Sequence, residues 1–187
     1  MDLPWGDEKT GQFITNVGLI SSNGPAGNNL MAAEWTHHIS YSPGVIAVCI
    51  NNSNNATSEN IRKTKEFGVN ICSVEQVKLA KISGRNTGKE VDKIKALEEL
   101  GFEFYKAKKI HALMVKNASL NAECKVTKEI NTGSHSMFLG EVIEAGVSGK
   151  QPLAYHKGRY WKLGEEIRVP AEKEMQGINK ILEKHRK

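Results

Sequence analysis

The residues best suited to chemistry lie in polar loops beside apolar runs. Asn51-Asn52-Ser53-Asn54-Asn55-Ala56-Thr57-Ser58-Glu59-Asn60 holds one apolar residue, Ala56, and sets the hydroxyls of Ser53, Thr57 and Ser58 among asparagine amides. Thr57 or Ser58 suits an N-cap, which predicts a helix running through Lys65 with Ile61 as its main apolar contact. The open N–H groups of such a helix start, together with those hydroxyls and amides, converge as donors to an anion such as a phosphate. The same residues also satisfy an ordinary capped turn, because Ser and Thr favour helix starts whatever lies beyond them. Ser83-Gly84-Arg85-Asn86-Thr87-Gly88 is a second polar, glycine-bearing loop.

Other reactive side chains are scattered. Cys49, Cys72 and Cys124 are odd in number, widely spaced and set in apolar or alternating segments, with neither zinc spacing nor a CxxC pair. They read as buried thiols of a reducing compartment. Of six histidines, only His37 and His38 adjoin, and neighbours on a strand point to opposite faces, so no metal site is expected. Trp35 reads as a core aromatic or as a wall of the neighbouring polar loop. His135 suits a structural role or the stabilisation of charge, and His156 suits a turn. No proton-transfer role is assigned to Glu34 or Glu141. The chain has no GxGxxG, GxxxxGK, GxSxG or HExxH, which removes Rossmann, P-loop, serine-hydrolase and zinc-protease readings.

The elements that must position these groups are mostly strands. Gln12–Ile20 is rich in β-formers and runs into the turn-forming stretch Ser21–Asn29. Gly44–Ile50 is a continuous apolar run after Ser42-Pro43, as expected for a strand covered on both faces. Phe67–Cys72, Ala112–Val115, Leu120–Ile130 and Met137–Val147 are further strands, the last two joined by a hairpin turn at Asn131–Ser134. Gly158–Gly164 is a short aromatic strand. Val74, Val77 and Leu79 mark a short helix; Val91, Ile94, Leu97 and Leu100 mark an amphipathic one stopped by Gly101. After Pro170, Met175, Ile178, Ile181 and Leu182 stripe a terminal helix. The expected fold is a mainly β antiparallel barrel with accessory helices, in one domain spanning 1–187.

Composition bounds the function class. At 187 residues, with 39% hydrophobic and 25% charged residues, the chain is an ordinary globular domain. No apolar run is long enough to span a membrane and no signal-type N-terminus is present, so a cytoplasmic protein is expected. The excess of 26 Lys and Arg over 21 Asp and Glu mildly favours anionic partners. Much of it sits at Lys180, Lys184, Arg186 and Lys187, on a solvated helix face. Basic residues are not interleaved with aromatic platforms, which argues against nucleic acid as a partner.

Ordered patterns along the chain carry a resemblance. Asn28 to Pro43, with Asn29, Ala32, Ala33, Trp35 and Ser42-Pro43, is similar to the Asn, small-residue, Trp, Ser and Pro pattern of the flavin reductase-like family. Thr57-Ser58-Glu59-Asn60-Ile61 resembles that family's T-x-x-N-I helix start, Ser83-Gly84 its S-G loop, and Glu123-Cys124-Lys125 its E-C-K strand. Gly133 to Val142 resembles G-D-H-x-x-x-x-G-E-V, and Pro152 to Tyr160 resembles P-L-x-Y-x-x-G-x-Y. The match spans about residues 12–165 and leaves 166–187 as a C-terminal helix. Ser134 stands where the family has an acidic residue, and asparagines stand in the phosphate loop where many relatives have an arginine.

The resemblance implies an FMN-binding split barrel of antiparallel, Greek-key type whose homodimer interface holds the flavin. By position, Asn29, Met31, Ala32, Ala33, Glu34, Trp35 and Thr36 line the isoalloxazine. Asn51, Ser53, Thr57 and Ser58 hold the phosphate, and Ser83 and Gly84 approach from the other loop. His135 is the candidate catalytic residue. The implied activity is an NADH- or NADPH-dependent oxidoreductase passing hydride through FMN to free flavin, a ferric chelate or another acceptor. The alternatives are a flavoredoxin-like electron carrier reduced by a redox protein partner and a non-catalytic flavin-binding module.

Overall fold

The computed structural model describes residues 1–53 and 55–186, so Asn54 and Lys187 lie outside the described residues. Seven antiparallel strands form the main sheet in the order β3-β2-β6-β9-β10-β5-β4. They are β2 (Gly18–Ser22), β3 (Asn29–Ala33), β4 (Thr36–Tyr41), β5 (Gly44–Asn51), β6 (Glu66–Ile71), β9 (Leu120–Asn131) and β10 (His135–Val147). The two edges, β3 and β4, are consecutive in the chain with only Glu34 and Trp35 between them. The sheet's ends are thereby tied together at one short seam, and the mainly β, split-barrel architecture follows. Across the seam Thr36 Oγ1 donates to the Ala33 carbonyl (3.0 Å) and Asn16 Nδ2 to the Thr36 carbonyl (2.6 Å).

The strands form where β-branched and aromatic residues alternate, and their two faces supply two cores. Ile20, Val48, Ile50, Phe67, Val69, Ala122, Cys124 and Phe138 meet inside the curled sheet, with Ile61 of α1 (Ala56–Thr64) among them. On the other face Leu19, Leu30, Cys72 and Val115 pack with Leu79 and Ala80 of α2 (Val77–Arg85) and with Ile94 and Leu97 of α3 (Lys93–Glu99). β7 (Phe104–Lys106) pairs with β8 (Leu113–Val115). A third sheet joins β1 (Thr15–Asn16), β11 (Ala154–His156) and β12 (Arg159–Trp161). Gly140 must be glycine because a Cβ there would enter the Phe67 ring.

Several sequence expectations need correction. Gln12–Ile20 is not one strand: Thr10–Gln12 is a 3₁₀ turn, and β1 and β2 pair into different sheets on either side of Val17. The N-cap of α1 is Asn55, whose Oδ1 accepts from the Ser58 amide (2.8 Å), so Thr57 and Ser58 lie inside the first turn. Asn55, Thr57 and Ser58 can all cap, and burial of Ala56 and Ile61 sets the choice. Ser83 and Gly84 belong to the last turn of α2 rather than to a loop, because Leu79 and Ala80 anchor that helix to the core. Val91 and Leu100 fall outside α3. The terminal helix α4 (Glu172–Lys184) forms, yet none of its residues is buried, and Met175, Ile181 and Leu182 are exposed.

Candidate functional site

A cavity of about 450 Å³ opens beside the β3–β4 seam. Its floor is Met31, Ala32, Ala33 and Glu34, at the end of β3 and into the connection. Trp35, Cys49, Asn51 and His135 form one side; Ala80, Lys81, Gly84 and Arg85 of α2 form another; Tyr155, Gly158 and Tyr160 of the β11–β12 hairpin close a third, with Trp5 beside them. The fold dictates this meeting. β10 begins opposite the end of β5, so His135 pairs with Asn51 across the ladder. Cys49 donates its amide to the Trp35 carbonyl (2.9 Å), which holds Trp35 against the same strand end.

The polar groups differ in how they are held. The His135 ring lies 4.5 Å from the Trp35 ring, tilted by 44°. Its Nδ1 is 2.8 Å from Ser134 Oγ, so the hydroxyl that replaces the family's acid still fixes the imidazole. Burial pushes the His135 pKa below its ordinary 6.5. Glu34 is half-buried without a hydrogen bond or ion pair to any described residue, and desolvation holds its carboxyl above the usual carboxylate range. Tyr155 and Tyr160, with ring centroids 5.4 Å apart, are both pushed up by burial; the charge of Glu34 adds to the shift of Tyr155.

Eight of the fourteen sequence-predicted site residues line this cavity: Met31, Ala32, Ala33, Glu34, Trp35, Asn51, Gly84 and His135. The other six lie behind it or beyond it. Asn29 is buried and donates to Thr57 Oγ1 (2.7 Å), leaving its own Oδ1 buried without a partner. Thr36 is buried at the seam. Ser83 is buried, with its Oγ unpartnered. Ser53 and Ser58 line a second, shallow depression with Pro25, Asn52, Asn55, Glu59, Arg62, Lys63 and Lys89. Sequence reading missed Lys81, Arg85, Tyr155 and Tyr160 as cavity residues. Lys81 and Arg85, four apart on one helix, carried the one signal that spacing offered.

The family described as the flavin reductase like domain matches residues 10–164. An uncharacterized protein of Archaeoglobus fulgidus is 31% identical over 132 residues, covering 68% of this chain and 72% of that protein. A ferric-chelate reductase (NAD(P)H) of the same organism is 28% identical over 138 residues, covering 73% and 79%. The crystal structure of flavoredoxin from Methanosarcina acetivorans superposes with a TM-score of 0.76 at 24% identity, over 92% of this chain and 95% of that one. With the seam, the ladder pairing of His135 and the cavity between them in view, this chain belongs to the flavin reductase-like family.

Proposed function

We propose that the chain binds FMN in the seam cavity as a homodimer and acts as an NAD(P)H-dependent oxidoreductase, delivering electrons to free flavin, a ferric chelate or another acceptor. The observation that carries this reading is the cavity itself. Its volume falls within the range of about 300–1,000 Å³ usual for small-molecule sites. It is lined by the rings of Trp35, His135, Tyr155 and Tyr160 together with Met31–Glu34. A planar tricyclic ring fits a cavity lined in this way.

FMN, when bound, supplies the hydride-accepting ring; the protein supplies position and electrostatics. Backbone groups of Met31–Thr36 hold the ring edge. Asn51 lines the cavity, and Ser53 and Ser58, two and seven residues on, line the shallow depression at the start of α1, with Thr57 buried behind them; we assign the flavin phosphate to that end of the site. Trp35 excludes water from one side. Ser134 engages Nδ1 of His135, and Nε2 has no hydrogen-bond partner among the described residues. With the Ser134 hydroxyl donating to Nδ1, Nε2 carries the proton and presents a donor to negative charge developing in the cavity.

The decisive experiment mixes the FMN-loaded protein anaerobically with NADH and with NADPH and follows bleaching of the flavin absorption. Rapid bleaching with at least one of them is expected. Bleaching only by dithionite or a reduced redox protein would replace the enzyme with an electron carrier, and failure to take up FMN at all would remove both readings.

A further inference from the structure

We propose that Lys81 and Arg85 are the docking point for the phosphates of the pyridine-nucleotide donor, a dinucleotide entering at the α2 rim of the cavity; this rests on the reading that the cavity holds a flavin and receives such a donor. Both side chains line the cavity, and their spacing of four places them on one face of α2, a single turn apart. Neither makes a hydrogen bond or an ion pair with any described residue. Some other surface cations are engaged, as Arg62 is with Glu129 (2.8 Å), Lys108 with Glu144 (2.7 Å) and Lys116 with Glu103 (2.6 Å). What sets Lys81 and Arg85 apart from cations such as Lys78, equally without a partner among the described residues, is that both line the cavity. A helix end ordinarily opposes an anion, because its terminal carbonyls carry negative partial charge. Here Lys93 is buried beneath that end and donates to the Ser83 carbonyl (3.3 Å) and the Asn86 carbonyl (3.0 Å), which offsets it.

The position favours the donor over the flavin. The flavin phosphate is assigned to the Asn51 side, on β5 and the start of α1, whereas Lys81 and Arg85 stand on the α2 side, and Tyr160 is near enough for the charge of Arg85 to act on its phenol. Two cations one turn apart match the two adjacent charges of a pyrophosphate better than a single phosphomonoester. The hairpin tyrosines beside them offer flat faces to a nucleotide ring. Glu34, the one carboxylate lining the cavity among the described residues, lies on the floor at the seam rather than on that rim.

The test titrates the FMN-loaded protein with NAD+, NADP+ and ADP-ribose by calorimetry, and separately titrates the flavin-free protein with FMN and with riboflavin, which lacks the phosphate. Lys81→Gln, Arg85→Gln and the double variant are compared with Lys78→Gln, an exposed residue of α2 that does not line the cavity. The double variant is expected to bind all three pyrophosphate probes about tenfold more weakly at low salt, with the gap narrowing as salt is added. FMN and riboflavin should bind as to the parent chain, and Lys78→Gln should change nothing. Unchanged affinity for these pyrophosphate probes would overturn the proposal. So would a loss of FMN affinity with riboflavin unaffected, since that assigns the pair to the flavin phosphate. A parent chain that binds neither flavin overturns the underlying reading before any variant is made.

Discussion

At the scale of the residue, environment decides what each ionisable side chain does. His135 has its pKa pushed below 6.5 by burial, so it is neutral at pH 7. The rate of flavin bleaching by nicotinamide is therefore expected to level off toward pH 8, with its inflection below pH 6.5. His135→Ala should abolish the inflection and slow the step about tenfold to a hundredfold while FMN stays bound; stopped-flow absorbance across pH 5–8 checks this. An unchanged rate would make the histidine structural. Lys93 is a different case: burial lowers its pKa to about 8, against an ordinary 10.5. Its charged form is penalised in the folded state, so the penalty is complete below pH 8 and is relieved as pH rises toward 10.5. Thermal melts should therefore show stability rising between pH 8 and 9, and Lys93→Met should lack that rise. Above pH 9 the trend reverses, because Cys72 and Cys124 are pushed to about 12 by burial and ionise only in the unfolded chain.

At the scale of the element, polar residues inside apolar patterns hold the loops in place. Glu123 lies in the buried part of β9, and its two oxygens accept the amides of Lys108 (2.8 Å) and Lys109 (2.6 Å) in the β7–β8 connection. Glu123→Ala would orphan both donors and should cost about 3 kcal/mol, and Glu123→Gln about 1 kcal/mol less than that, measured by urea denaturation. Gly140 of β10 faces Phe67, and Gly140→Ala should cost about 1–3 kcal/mol by overpacking the barrel. The strand pattern of β5, β9 and β10 was legible because alternation and apolar runs report burial directly. The edge strand β4 was not, because Thr36-His37-His38-Ile39-Ser40-Tyr41 carries mainly exposed residues and is held by its ladder with β5 rather than by an apolar face.

At the scale of the whole molecule, the barrel and its terminal helix are energetically separable. No residue of α4 is buried, and Met175, Ile181 and Leu182 face away from the barrel's two cores. A chain ending at Glu165 is expected to unfold with the cooperativity of the full-length protein and within about 1 kcal/mol of its stability, as followed by circular dichroism. A large loss would mean that the helix is held by contacts made only in an assembly. Light scattering of the FMN-loaded protein should give twice the 20.7 kDa of one chain; a monomer with flavin fully bound would remove the homodimer from the proposed function.

The sequence by itself determined the strands β5, β6, β9 and β10, the polar stretch before α1, and the order of motifs that marks the family, because burial period and turn chemistry are local properties. It also placed His135, Trp35 and the β3 floor in one site, through the resemblance. Only the tertiary structure decided that Asn55 caps α1, that Ser53 and Ser58 face a different depression from Asn51, and that Ser83 turns inward while Lys81 and Arg85 turn to the cavity. The physical reason is that a helix or strand offers its polar residues several directions at similar local cost. Which direction faces the site is fixed by contacts between segments far apart in sequence: Leu79 and Ala80 against the core for α2, and the pairing of His135 with Asn51 across β10 and β5.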